Sequence, residues 1–329
     1  MVNTRIAIDI YSLKKILIIR FSSIGDIVLT TPVIRCLKMQ TDAEIHFLTK
    51  QAFKGILEHN PYITKIHTIE KEVKEVMQQL KNEQFDFVVD LHNNIRSVLV
   101  KRGLGKPSAS FKKLNFQKWI LVNFNINKLP AEHIVDRYIN TVAALGIKND
   151  NKGLDYFIPE KEEILLTTIP KTHQNGYIGF VIGAKHFTKQ LPIEKIISIC
   201  KKIDKPIILL GGKEDVARAQ TIEASVGKHI YNACGKYNLN QSASLVKQAS
   251  KIITHDTGLM HIAAAFKKEI ISVWGNTVPA FGFTPYLPSP TSKIVEVKNL
   301  SCRPCSKIGY DKCPKGHFNC MMKIDEHAF

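Results

Sequence analysis

Long apolar runs are missing from this chain of 329 residues. Runs such as Ile16 to Ile19 and Ile207 to Leu210 fall far short of the ~18 residues needed to cross a bilayer, so no membrane span is expected. A secretion signal is missing too. The apolar opening is broken by Asp9, Lys14 and Lys15 follow it rather than precede it, and no small-residue cleavage site comes after. A cytoplasmic protein is expected. Acidic residues are scarce, 29 against 46 Lys and Arg, which leaves a formal charge of +17 and calls for an anionic partner. Nucleic acid, an acidic membrane surface and a phosphorylated substrate all satisfy that demand. No short-period repeat or low-complexity tract is present. The seven cysteines, in a reducing compartment, argue against a disulfide framework and leave free thiols or metal binding.

What is present is an alternation of short β-rich apolar runs with amphipathic stretches, the pattern of parallel sheets covered by helices. Strands are predicted at Ile16–Ile19, Ile45–Leu48, Ile66–Ile69 and Phe85–Asp90, and helices at Asp26–Met39, Lys74–Gln84 and Glu132–Leu145. After a linker-like stretch, Lys148–Gly153, the pattern restarts. Strands are predicted at Tyr177–Ile182, Ile207–Leu210, Lys251–Thr254 and Ile270–Val273, with helices at Ile193–Lys202 and Asp215–Ala224. The 44% apolar content and the length suit two domains, divided here into residues 1–155 and 156–329. Two Rossmann-like doubly wound α/β lobes facing a central cleft are expected, with the binding site in that cleft at the carboxyl ends of the strands.

Three strand-to-helix turns carry chemistry. In the first, Arg20-Phe21-Ser22-Ser23-Ile24-Gly25-Asp26, the Asp26 carboxylate sits at a helix start, where capping is the ordinary role. Gly25 stands alone, without the Gly-x-Gly-x-x-Gly spacing of a dinucleotide fingerprint. In the second, Asp256-Thr257-Gly258-Leu259-Met260-His261, helix-start amides suit an anion and the small Gly258 lets a diphosphate approach. The third, Gly183 to Pro192, is a basic loop in which an ammonium could offset charge building on a departing diphosphate without a metal. A simple cap, a packed histidine and a solvated lysine are the structural alternatives.

The ordered set Arg-x-Ser-Ser-x-Gly-Asp, Thr188-Lys189 with Pro192, and Asp256-Thr257-Gly258-x-x-His261 followed by Ala263-Ala264-Ala265 resembles glycosyltransferase family nine, the ADP-heptose:lipopolysaccharide heptosyltransferases. Asp90 to Ser97, His133 to Tyr138 and the cysteine-bearing tail share in that resemblance, which covers the chain from Lys15 onward. It implies a GT-B fold, metal-independent inverting transfer, an acceptor held by the first lobe and a donor by the second. By motif position Asp26 is implied as catalytic base, and Lys189 as the catalytic lysine on the donor phosphates. Thr188, Asp256, Thr257, Gly258 and His261 complete the donor site, with Ser22, Ser23, Gly25, Arg96 and Arg102 on the acceptor side. At Leu191 the chain departs from the many relatives that carry Trp there. The implied partners are an ADP-sugar donor, an anionic lipopolysaccharide-precursor glycolipid and the inner-leaflet membrane surface, to which a monomer attaches peripherally; no nucleic acid is expected.

A basic stripe at Arg96, Lys101, Arg102, Lys106, Lys112, Lys113 and Lys118 fits acceptor phosphates and carboxylates or an anionic bilayer, or else is a solvated face. Cys302-x2-Cys305-x7-Cys313-x6-Cys320, with His317 inside the last interval, could hold a structural zinc, although the second pair lacks ribbon spacing. No cofactor is expected for catalysis. A basic zinc-containing nucleic-acid binder is the main alternative from another class, and it leaves the three turn motifs without a role. A nucleotide-sugar epimerase of the same two-lobed build is the alternative within the fold.

Overall fold

The structure, a computed structural model, describes residues 13–329, so the opening around Asp9 lies outside the described residues. Two compact units emerge. The first contains the described residues up to Lys113 together with Ile134–Phe157, and the second contains Leu114–His133 and Ile158–Phe329. The chain thus changes unit two residues after the expected division at 155/156, and it also lends the second unit the excursion Leu114–His133.

The first unit is built on β1 (Lys15–Ile19), α1 (Ile24–Val28), α2 (Thr31–Gln40), β2 (Glu44–Lys50), β3 (Lys65–Ile69), α3 (Lys74–Asn82), β4 (Phe87–Asp90), α4 (Ile95–Leu104) and β5 (Ser108–Ser110). Its five strands pair in parallel in the order β3-β2-β1-β4-β5. Helices cover both faces of such a sheet, which is why β1 and β4 read as unbroken apolar runs and are buried almost throughout. The expected helix Asp26–Met39 is instead two helices. Pro32 lacks an N–H and would strike the carbonyl one turn back, so it opens a new helix. The hydroxyls of Thr30 and Thr31 take up the freed carbonyls of Ile27 and Val28 at 2.6 and 2.8 Å.

The chain then passes through α5 (Asn115–Phe124), which belongs with the second unit, and returns in α6 (Ile134–Ile139). Expected from Glu132 to Leu145, this helix is shorter: the Thr141 hydroxyl bonds back to the Arg137 carbonyl at 3.2 Å, and a separate single turn follows at Ala143–Leu145. Nor is Lys148–Gly153 a loose linker. Arg35 of α2, buried, holds Asp150 through two 2.8 Å bonds, the Gly153 carbonyl at 2.8 Å and the Asp155 carboxylate.

The second unit contains β6 (Ile178–Val181), α7 (Ile193–Lys201), β7 (Ile207–Leu210), α8 (Val216–Val226), β8 (Ile230–Asn232), α9 (Leu239–Gln248), β9 (Lys251–His255), α10 (Gly258–Ala265), β10 (Glu269–Trp274), β11 (Lys293–Glu296) and the short α11 (Asn319–Met322). All six strands are parallel, in the order β11-β10-β9-β6-β7-β8. Phe180, Ile199, Leu209, Ile253 and Val273 form its core, and Met321 of α11 packs into it, so the cysteine-bearing tail is part of this unit. Each sheet reverses its strand order once, between β1 and β4 in the first unit and between β6 and β9 in the second. Ligands of doubly wound sheets bind outside the carboxyl ends of the strands at such a reversal. Among the described residues no helix is long and apolar enough to cross a membrane.

Candidate active site

The turns at the first reversal follow β1 and β4. Arg20, 8% exposed, organises both: Nε donates to the Ser22 carbonyl at 2.9 Å, Nη1 to the Leu91 carbonyl at 2.6 Å, and Nη2 lies 2.6 Å from Asp26 Oδ1. Burial works against its charge, but Asp26, Tyr138 and Asp90 together outweigh that cost and the guanidinium is held above its ordinary pKa. Tyr138 of α6 lies beneath it, with the ring centroid 5.7 Å from the guanidinium carbon. Asp26 Oδ2 accepts from the Ser23 N–H at 3.1 Å and its hydroxyl at 2.8 Å. Asp26 therefore does cap α1, as the ordinary reading of a first-turn carboxylate requires. The cap leaves its side chain 23% exposed.

At the end of β4 the fully buried Asp90 accepts from the backbone N–H groups of His92 and Asn93 at 3.0 and 2.7 Å, and pairs with Lys101 at 2.9 Å. Lys101 is thereby removed from the expected basic stripe, because it neutralises a buried carboxylate. Burial, aided by Arg20, lowers His92 to about 4, so this imidazole is neutral at pH 7. Arg96 is exposed in the first turn of α4 beside these residues. Arg102 lies six residues further, about 9 Å along the axis, at the helix's carbonyl end. Ser22, Ser23, Gly25 and Asp26 are thus gathered on one turn with Arg96 at the start of a neighbouring helix, and Arg102 is not among them.

The second reversal brings the other two motifs together. Lys189 Nζ lies 2.5 Å from Asp256 Oδ2, both side chains largely buried, and the Thr277 hydroxyl donates to the same oxygen at 3.1 Å. Thr257 is the extended N-cap of α10, Gly258 opens the helix and His261, 4% exposed, follows one turn later. The amide end of α10 and the Lys189 ammonium, the latter paired with Asp256, thus lie on turns at one reversal. Thr188 has a different position from the one expected for a ligand-facing residue: it is 1% exposed, and its hydroxyl accepts from the Tyr310 N–H at 2.8 Å, bracing the loop against the tail.

Several further residues support this loop, and of these only Leu191 was singled out from the sequence. His255 is fully buried, and its Nε2 accepts from the Leu191 N–H at 2.9 Å; burial lowers its pKa to about 3, which keeps that acceptor available. Leu191 itself is buried among Ile196, Phe180 and Ile253, an apolar plug under the loop. Gly183 cannot carry a side chain, since a Cβ would meet the Asp215 carboxylate. The Asp215 Oδ2 accepts from the Gly212 N–H at 2.9 Å. The adjacency of His255 to the Asp256-Thr257-Gly258 motif was a usable signal, whereas the pairing of Gly183 with Asp215, 32 positions apart in sequence, was not.

In the tail none of Cys302, Cys305, Cys313 and Cys320 forms a disulfide. Cys302 Sγ lies 3.8 Å from His317 Nε2, and the Cys305 thiol donates to the Cys302 carbonyl at 2.7 Å. Burial, then the neighbouring cysteines, push the Cys305 thiol up to about 12, and burial with Cys313 pushes Cys320 up to about 11. No three of these four sulfurs lie within 4.8 Å of one another. The described residues contain one set of three donors all within 4.8 Å of one another, His46, His67 and Glu83. There the imidazoles bond to each other at 3.0 Å, and Glu83 is already held by Lys65 at 2.5 Å and Lys15 at 3.2 Å, so the cluster closes on itself as a structural network.

Residues 73–313 match the model of glycosyltransferase family 9 (heptosyltransferase). Lipopolysaccharide heptosyltransferase 1 of Campylobacter coli is 28% identical over 288 residues, 80% of this chain and 84% of that protein. Lipooligosaccharide heptosyltransferase 2 of Haemophilus ducreyi is 26% identical and covers 94% of this chain and 95% of its own. Among solved structures, a family 9 glycosyltransferase from Veillonella parvula superposes with a TM-score of 0.73 at 22% identity, covering 88% of this chain and 87% of that one. The ADP-heptose lipopolysaccharide heptosyltransferase II of Escherichia coli gives 0.68 at 22%, covering 94% and 98%. An iron-containing dodecameric glycosyltransferase of enterotoxigenic Escherichia coli gives 0.56 at 12%, covering 97% of this chain and 75% of that one. These likenesses show a GT-B fold made of two Rossmann-like units, and with the family match they make the chain a glycosyltransferase: it belongs to glycosyltransferase family 9, the heptosyltransferases.

Proposed function

We propose that this enzyme transfers a heptose, with inversion, from ADP-heptose to a hydroxyl of the lipopolysaccharide inner core at the inner face of the membrane. The observation that supports it best is that each doubly wound sheet carries its family motif on the turns at its own reversal: the Asp26 turn in one, the Lys189–Asp256 pair in the other. In the proposed step Asp26 accepts the proton of the acceptor hydroxyl. That oxygen forms a bond to the anomeric carbon as the bond from this carbon to the diphosphate oxygen breaks, and its electron pair leaves with ADP. Lys189 and the amides at the start of α10 stabilise the departing diphosphate, with Thr257, Gly258 and His261 around it. Arg20 and Ser23 fix the carboxylate of Asp26. Attack opposite the leaving group gives inversion and requires no metal. The test is incubation with ADP-heptose and a Kdo-bearing lipid A precursor, read by mass spectrometry. A product heavier by one heptose supports the reading; turnover to free heptose or an epimerised donor, with no glycolipid product, contradicts it.

For the tail we propose a structural metal, zinc by the thiolate-rich donor set, that Cys302, Cys305, Cys313 and Cys320 close around only on binding it, since no three of their sulfurs lie within 4.8 Å of one another in this structure, and that takes no part in the transfer step. Because a remote fold neighbour contains iron, elemental analysis should score both metals. About one equivalent of metal, lost in Cys305→Ser, is expected; a metal-free protein with unchanged melting after chelation contradicts the assignment.

A further inference from the structure

Between Asp90 and Glu132 the sequence has no acidic residue and eight Lys and Arg. Within that stretch lies α5, anchored by the buried Leu121. Its aromatic side chains turn to solvent: Phe116 is 68% exposed, Trp119 52% and Phe124 59%, and Ile126 just beyond is 52% exposed. At 100° per residue the three aromatic positions fall within about 140° of the helix surface. They touch one another, with Phe116 stacked on Trp119 at 6.1 Å and Trp119 edge-on to Phe124 at 5.3 Å. Single exposed apolar residues are ordinary, but a continuous aromatic plate within a basic stretch of sequence is not.

We propose that this face of α5 docks on the surface of an anionic phospholipid bilayer. Aromatic rings with a polar or cationic border are what the interface between headgroups and acyl chains accommodates, and each nearby lysine adds attraction to acidic lipid. Lys112 and Lys128, both exposed, flank the helix in sequence. A second copy of the chain fits the face less well, because an isologous contact sets the same basic stretch against itself. The proposal deepens the reading that the acceptor is a membrane glycolipid. Its test contains neither donor nor acceptor, so the two can fail separately.

The full chain is mixed with vesicles of phosphatidylglycerol and phosphatidylcholine, or of phosphatidylcholine alone, and followed by co-sedimentation and tryptophan emission. Trp119 and Trp274 are the two tryptophans, and Trp274 is 1% exposed, so an emission change on binding reports Trp119. Binding to the anionic vesicles with a blue shift is expected. Phe116→Ser/Phe124→Ser should weaken it by roughly tenfold or more, and Lys112→Gln/Lys128→Gln by roughly tenfold at low salt and little at high salt. The Phe variant should melt like wild type. Wild-type vesicle binding by the Phe variant, or binding without an emission shift, overturns the proposal. So does loss of a dimer in that variant with vesicle binding intact, which would give the face to self-association.

Discussion

Replacing Lys189 by alanine removes more than a ligand contact. In the structure Lys189 Nζ lies 2.5 Å from Asp256 Oδ2, with the side chains 16% and 13% exposed. Opposite unit charges at about 4 Å and an effective dielectric near 20 attract by about 4 kcal/mol before solvent screening. In the proposed role the lysine therefore shields Asp256 from an incoming diphosphate as well as binding that diphosphate. Loss of one charge-assisted hydrogen bond costs about 1.5–3 kcal/mol, and the uncovered carboxylate adds repulsion. Lys189→Ala should bind ADP roughly 100-fold or more weakly. In Lys189→Ala/Asp256→Ala the repulsion is gone, so ADP affinity should recover by about 1–2 kcal/mol, roughly 5- to 30-fold, over the single variant. Asp256→Ala alone should bind ADP at least as well as wild type. Calorimetric titration with ADP, which has no sugar, isolates the diphosphate contribution, and the differences should shrink at high ionic strength. A double variant that binds ADP no better than Lys189→Ala would refute the shielding role, and wild-type affinity in Lys189→Ala would remove the lysine from the site.

Arg35→Met should destabilise the protein by about 3–5 kcal/mol, because it strands Asp150 and Asp155 beneath α2; chemical denaturation checks this, and a loss under 1 kcal/mol contradicts it. Stability should also fall as pH drops from about 6.5 toward 4. Burial holds His67 at about 4 and lowers His46, so these groups take up protons more readily in the unfolded chain, and the stability present above 6.5 is lost on acidification. His67 alone accounts for roughly 3 kcal/mol across that window. Melting at graded pH should show the decline, with a shallower slope in His67→Gln; a flat profile contradicts it.

The central strands were legible because β1, β4, β6, β7, β9 and β10 are apolar runs, long enough to announce themselves and buried on both faces. The edge strands Ser108–Ser110, Ile230–Asn232 and Lys293–Glu296 were not, since an edge position needs little apolar content and three or four residues leave no period to detect. Pro32 is a breaker visible in the sequence that an amphipathic reading of Asp26–Met39 passed over. The turn motifs could be placed at strand ends from spacing, yet their partners could not. Arg20 joins Asp26 to the Leu91 carbonyl, 71 residues from it, and Thr188 bonds to Tyr310 across 122 positions, contacts that exist only once the sheets have formed. The solvent-facing aromatics of α5 were hidden for the opposite reason, because apolar content alone predicts burial.

The role assigned to Asp26 is tested by Asp26→Asn, which keeps the shape and can still accept from Ser23 but cannot take a proton. With ADP-heptose and the lipid acceptor, kcat should fall by about 10²–10⁴-fold, while ADP affinity stays near wild type and the melting temperature falls because the buried Arg20 loses its counter-charge. Near wild-type turnover in a folded Asp26→Asn enzyme would contradict the mechanism.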